Sequence, residues 1–214
     1  MLSKREQNAA LTRDKLMTSA LALYAGKSID GVSFREIAQA AGQRNSNALQ
    51  YHFGDRAGLL QAIVDKHGGA ITGLRETFIR DAQSPSWSTA EAAARCLVEP
   101  IIEYVESNPQ GLHFVKLTSQ LTALYQNASQ EAEERIHFPE NPALLGLFET
   151  ALSHLSRREM QRRIYLVVSS TFHSIAEIYR ASEQPSSGSA GNRKPMVDQL
   201  LLMLSAFFAA ASLQ

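Results

Sequence analysis

The chain has one cysteine, Cys96. No disulfide can form within it, which suits a reducing compartment, and the expected role for Cys96 is a small buried hydrophobe on a helix. Net charge is lacking too: 21 Lys/Arg stand against 21 Asp/Glu. A global basic excess, the simplest footprint of a nucleic-acid binder, is absent. The greasiest stretch, 200–211, is interrupted by Ser205 and falls short of the ~20 residues that a membrane span needs. The basic start runs into Glu6, Gln7 and Asn8 where a signal peptide would carry an apolar core. The expectation is a cytoplasmic protein with no membrane contact. Alternation of period two is also missing, so sheet proteins are excluded and the class is all-α.

What is present is a chain 44% apolar, enough to bury a real core. Charge is divided along it. Residues 1–56 hold eight Lys/Arg against five Asp/Glu, and residues 57–214 hold thirteen against sixteen. A basic N-terminal module on an acidic body suits a small domain that meets phosphates. The expected division is a DNA-binding domain over 1–56 and a larger ligand-binding and dimerisation domain over 57–214.

Helical periods predict a first helix from about Thr12, with Leu16, Ala20 and Leu23 on one face. Ser33 and Glu36 have capping-box spacing for a second helix, buried through Phe34, Ile37, Ala38 and Ala41 and ended by Gly42. A third, short helix ends at Phe53. Asp55 caps a fourth that runs toward Arg80, and Ser84-Pro85-Ser86 breaks the chain. Ser88 with Glu91 caps the next helix, which Pro100 kinks or splits and Asn108-Pro109 stops. Further helical patterns cover 111–127, 142–156, 158–182 and 196–212. The Ser, Gly and Pro of 183–195 read as a mobile surface loop.

Helix, glycine turn and short polar helix together form a helix-turn-helix signature, whose second helix enters the major groove. Leu49 and Phe53 lie four apart and can pack on Ile37 and Ala41. The opposite face presents Asn47 and Tyr51, with Gln50 beside them. Asn and Gln amides pair with adenine and Arg with guanine. Arg44 and Asn45 stand in the turn before. His52, Arg56 and the open N–H groups at the Ser33 helix start are placed for phosphates. The bland alternative is a three-helix packing unit with a solvated face.

Arg13 to about His67 resembles the N-terminal domain of the tetracycline-repressor (TetR) family. The landmarks are Ala20-Leu21-Ala22-Leu23-Tyr24-Ala25, Gly31-Val32-Ser33-Phe34-Arg35-Glu36-Ile37-Ala38, Ala41-Gly42, and Tyr51-His52-Phe53-Gly54-Asp55-Arg56 before Leu59-Leu60. The resemblance implies a homodimer on palindromic operator DNA, a repressor released when a small molecule enters the C-terminal domain. Ten residues separate Gly42 from Phe53, one more than the common family pattern, so the turn at 43–46 is lengthened. The family's Lys after the Phe is Arg56 here.

By the same analogy the last two long helices dimerise. Their apolar coverage points the same way, with Val168, Phe172, Ile175, Leu200, Leu204, Phe207 and Phe208 as the candidate interface. The alternative is that both helices bury inside one monomer core. Candidate effector contacts are His113, Gln120, Tyr125, Tyr165 and His173, polar residues on apolar helices that could equally be hydrogen-bonded core residues. No charged lining stands out, which favours a neutral or amphipathic ligand of unknown identity.

Enzyme parts are missing from the sequence. No His-x-x-x-His pair offers a metal site, Ser153 and His154 diverge as helix neighbours, and no glycine loop cradles phosphate. No catalytic residue, metal or cofactor is expected. A helical ligand-binding protein without DNA binding, an enzyme of unrecognised type and a structural adaptor are the competing classes.

Overall fold

The computed structural model describes residues 3–45, 47–82, 86–124, 136–183 and 193–212. Its described residues form helices α1 (Lys4–Gly26), α2 (Phe34–Ala40), α3 (Ala48–Phe53), α4 (Arg56–Asp81), α5 (Thr89–Ser107), α6 (Gly111–Leu124), α7 (Pro142–Ala151), α8 (Arg157–Glu183) and α9 (Arg193–Ala209), with a 3₁₀ turn at Ile29–Gly31 and no strand. The all-α expectation stands.

Helix starts follow local chemistry. Ser3 with Glu6, Ser33 with Glu36 and Ser88 with Glu91 all form complete capping boxes, and Ser156 with Glu159 makes the same reciprocal bonds ahead of α8. α1 therefore begins eight residues before the expected Thr12. The early turns escape a periodicity reading because they bury almost nothing. The buried face begins at Leu16 and continues through Met17, Ala20, Leu21 and Tyr24.

Of the two outcomes expected at Pro100, a kink or a split, the split does not occur: α5 runs through it from Thr89 to Ser107. Proline has no N–H, so the Cys96 carbonyl, four residues earlier, loses its helical donor. The Nε of Arg75, from α4, donates to that carbonyl at 2.9 Å and closes the gap. The helix runs on to Asn108, which accepts the role of C-cap.

The expected loop over 183–195 overlaps two helices at its ends. Glu183 ends α8, and Arg193, Lys194 and Pro195 open α9. The intervening 184–192 lie outside the described residues, as do Ser84 and Pro85.

Two compact units emerge. One holds Met1–Gly69 with Lys116–Pro139, and the other Ala70–Val115 with Glu140–Gln214. The first takes in the start of α4 and a returning segment, so its extent differs from a simple division after Arg56. Leu16, Leu21, Tyr24, Ile37, Leu49, Leu59 and Ile63 form its buried core. In the second unit, α5 packs against α7, α8 and α9, with Cys96, Ile101, Phe148, Ile175, Leu200, Leu204 and Phe208 buried. Phe148 and Phe208 meet with ring centroids 5.1 Å apart.

Candidate nucleic-acid interface

The first unit builds its polar face from the α2–turn–α3 segment. Ser33 Oγ accepts from the Glu36 N–H at 3.2 Å, and Glu36 Oε2 accepts from the Ser33 N–H at 2.8 Å. Those bonds and the 3.0 Å pair with Lys27 hold the Glu36 carboxyl down at about 2. α2 closes at Gly42, whose φ of +69° is left-handed and costs a glycine little. The Gln43 N–H then reaches back to the Ala38 carbonyl at 2.8 Å. Asn45 Oδ1 accepts from the Asn47 N–H at 2.9 Å and turns the chain into α3.

Leu49 anchors α3 and is completely buried, as is Ile37 on α2. Phe53 is half-buried with the Arg13 guanidinium 5.0 Å above its ring. The turn into α4 is tight. Asp55 Oδ1 accepts from the Gly58 N–H at 2.8 Å, and a Cβ on Gly58 would stand 2.1 Å from the Phe53 carbonyl oxygen. Only glycine fits there without moving backbone.

The other side of α3 is open. Arg44, Asn45, Asn47, Gln50 and Tyr51 are all exposed, and Tyr51 is 81% exposed. Residues 43–53 contain no acid, so nothing in the segment repels a phosphate.

Three expected phosphate contacts sit differently. Ser33 is engaged in its capping box, so the Ser33 and Glu36 N–H groups at the α2 start are already taken, by Glu36 Oε2 and Ser33 Oγ. Arg56 turns inward: Nη1 donates to the Ile29 carbonyl at 3.0 Å and to Asp30 at 3.2 Å, and Nη2 to the Val32 carbonyl at 2.9 Å. Its fork is filled by the α1–α2 connection. His52 is half-buried against Tyr51 at 5.0 Å, and burial, then Arg13, lower its pKa, so the neutral ring is favoured.

Gln120, expected as an effector contact, has its amide engaged by backbone. Its Nε2 donates to the Tyr24 carbonyl at 2.6 Å and the Lys27 carbonyl at 3.3 Å, and its Oε1 accepts from the Ile29 N–H at 3.1 Å. The amide closes the end of α1. Tyr125 lies outside the described residues. Tyr165 and His173 are exposed on α8, and His113 is half-buried on α6. None of the last three lines the groove of about 600 Å³ formed by Ser174, Glu177, Ile178, Met196, Gln199 and Met203.

The candidate dimer residues divide by helix face. Ile175, Leu200, Leu204 and Phe208 are buried within their own unit, which removes them from any outer surface. Val168 and Phe172 are half-buried. Phe207 is exposed, with the Arg163 guanidinium 5.5 Å over its ring. With Phe207, the large apolar side chains that face outward on α8 and α9 are Tyr165, Leu166, Leu202 (63% exposed) and Met203. Periodicity could not separate them because α9 is apolar on more than one face.

Residues 95–211 match the family model described as Tetracyclin repressor-like, C-terminal domain. A Bacillus subtilis (strain 168) protein named "Probable HTH-type transcriptional regulator YttP" is 30% identical over 104 residues, 49% of this chain and 48% of that protein. The chain thus spans about half the length of that relative. A crystal structure of a TetR-family regulator from Streptomyces coelicolor A3 aligns over 94% of this chain and 96% of its own, with TM-score 0.44 and 15% identity. The TetR family repressor AlkX from Dietzia sp. strain DQ12-45-1b, implicated in biodegradation of n-alkanes, aligns over 92% and 94%, with TM-score 0.43 and 15% identity.

Proposed function

The chain belongs to the tetracycline-repressor family, and from that premise we propose that it is a sequence-specific DNA-binding transcriptional regulator, a repressor that acts as a homodimer on double-stranded, palindromic operator DNA. The observation that carries this reading is the open, acid-free face of α3. Asn47, Gln50 and Tyr51 stand exposed on a helix anchored from behind by Leu49. Arg44 and Asn45 flank it and supply base or phosphate contacts. Residues 1–56 do the reading. The body carries the dimer contact and a small-molecule site whose occupation releases the DNA.

The dimer follows from what α8 and α9 leave uncovered. Leu166, Leu202, Met203 and Phe207 expose apolar surface that a second copy covers by two-fold symmetry. Such a dimer places its two α3 helices in successive major grooves, about 34–36 Å apart.

The test is binding to DNA from around the protein's own gene, followed by fluorescence anisotropy at two salt concentrations. Selective binding that weakens steeply with salt supports the reading. Tyr51→Ala and Asn47→Ala should each lower operator affinity about tenfold or more while leaving the thermal midpoint unchanged. Equal affinity for operator and unrelated DNA in the wild-type protein would sink it.

A further inference from the structure

Sequence order offers three basic side chains for the phosphates around α3: Arg44 before it, and His52 and Arg56 at its end. The fold withdraws the last two. Arg56 is turned into the α1–α2 connection, its fork filled by the Ile29 and Val32 carbonyls and by Asp30. His52 is half-buried, with the Tyr51 and Phe53 rings 5.0 and 6.1 Å away. Arg44 serves one end of the helix only. Arg13 is brought to the other end from α1, forty positions before Phe53 in the chain. Its guanidinium carbon stands 5.0 Å from the centre of the Phe53 ring.

Arg13 is fixed at this place without being neutralised. The residue is exposed. Its Nη1 donates to Met17 Sδ at 3.7 Å, and a thioether is a weak, uncharged acceptor. The ring attracts the cation and offers no counter-charge. Both acids of α1 are engaged elsewhere: Glu6 accepts from the Ser3 N–H at 2.6 Å, and Asp14 pairs with Lys66. Among the described residues no carboxylate pairs with Arg13. Its charge also disfavours a proton on His52, second to burial, so this end of α3 carries one cation rather than two. Position matters as much as charge. The major groove is about 12 Å wide, and a helix with its side chains is about 10–12 Å across. A helix seated in the groove therefore has the sugar-phosphate walls against its flanks. Arg13 stands beside α3 rather than on its reading face, where a cation meets a wall and not a base edge.

We propose that Arg13 binds a backbone phosphate of duplex DNA at the C-terminal end of α3, with Phe53 as the platform that positions it. This role rests on the DNA-binding reading and deepens it: Asn47, Gln50 and Tyr51 face the bases, while Arg13 fixes how α3 is seated. Phe53 belongs to α3 itself, so the cation it carries keeps a set place relative to the reading residues. Arginine suits both tasks, because its planar guanidinium rests on an aromatic ring and its N–H edge matches phosphate oxygens. The competing role is that of a cover over Phe53, with no part in binding.

The test uses the full-length protein and fluorescence anisotropy with two duplexes of equal length, one from upstream of the protein's own gene and one of scrambled sequence. Affinities are measured at salt concentrations from about 50 to 200 mM. Arg13→Met keeps an apolar stem over Phe53 and removes the charge. It should melt near the wild-type midpoint and bind both duplexes more weakly by the same factor, about tenfold. Its plot of log affinity against log salt should be shallower by about 0.9 for each protomer bound, or about 1.8 for a dimer. Arg13→Lys keeps the charge, so it should retain the wild-type slope and recover most of the affinity. A wild-type slope in Arg13→Met would overturn the proposal and leave Arg13 as a cover for Phe53, whatever happens to the midpoint. So would a loss confined to the duplex from the protein's own gene, which would make Arg13 a base contact. A wild-type protein that binds both duplexes equally sinks the regulator reading, yet a shallower slope in Arg13→Met still upholds the phosphate contact. A wild-type protein that binds neither duplex at about 50 mM salt overturns both.

Discussion

His67 is a histidine almost wholly buried in α4. Burial pushes its pKa down from 6.5 to about 4, Lys66 adds to the shift and Asp14 opposes it. In the folded chain the ring is neutral at pH 5, whereas in the unfolded chain it is charged. The unfolded state then binds more protons, so stability is full above about pH 6.5 and falls as pH drops toward 4, by about 3 kcal/mol. Urea unfolding at pH 7 and pH 5 measures this, and His67→Phe should flatten the difference. A wild-type protein equally stable at both values would show that His67 is reached by water. Leu49 makes the complementary case: it is fully buried behind the reading face, and truncation to Ala should cost about 2–5 kcal/mol by the same urea measurement.

At the scale of elements, the connection between α1 and α2 is gripped from two sides within the first unit. Gln120 of α6 holds Tyr24, Lys27 and Ile29, while Arg56 of α4 holds Ile29, Asp30 and Val32. Ser33, the cap of α2, follows directly, so this grip sets where the reading segment begins. Gln120→Leu leaves the Ile29 N–H and the Tyr24 carbonyl unpaired by side chain, a loss of about 1–3 kcal/mol. Faster amide exchange at Ile29 and weaker operator binding should accompany it. Arg56→Lys keeps the charge but loses the fork, so if Arg56 instead served a phosphate, that variant would bind operator like wild type.

At the scale of the molecule, the decisive question is what covers α8 and α9. Both bury one face within their unit and expose Leu166, Leu202, Met203 and Phe207 on another. Leu202→Glu with Met203→Glu should give a folded monomer at micromolar concentration in sedimentation, with operator affinity lowered by the loss of the second half-site. A double variant that sediments as the wild-type dimer would move the interface elsewhere.

Much of this was legible in the residues themselves. Local chemistry is written over three or four positions, so Ser33-x-x-Glu36, Ser88-x-x-Glu91, Gly42 and Asp55 announced their helix ends. The same signature at Ser3 and Ser156 announced two more that a search for apolar periodicity passed over. The α3 face was legible because one buried Leu49 orients a short helix and leaves Asn47, Gln50 and Tyr51 outside. What the sequence could not decide was which partner each long polar side chain finds. Arg56 and Gln120 are bound by backbone atoms brought to them from other helices, and α9 is apolar around so much of its girth that only packing separated Leu204 from Met203. Arg75 and Pro100 are 25 positions apart in the chain. Their connection exists only because two helices meet, which places a guanidinium on the one carbonyl that proline left without a donor.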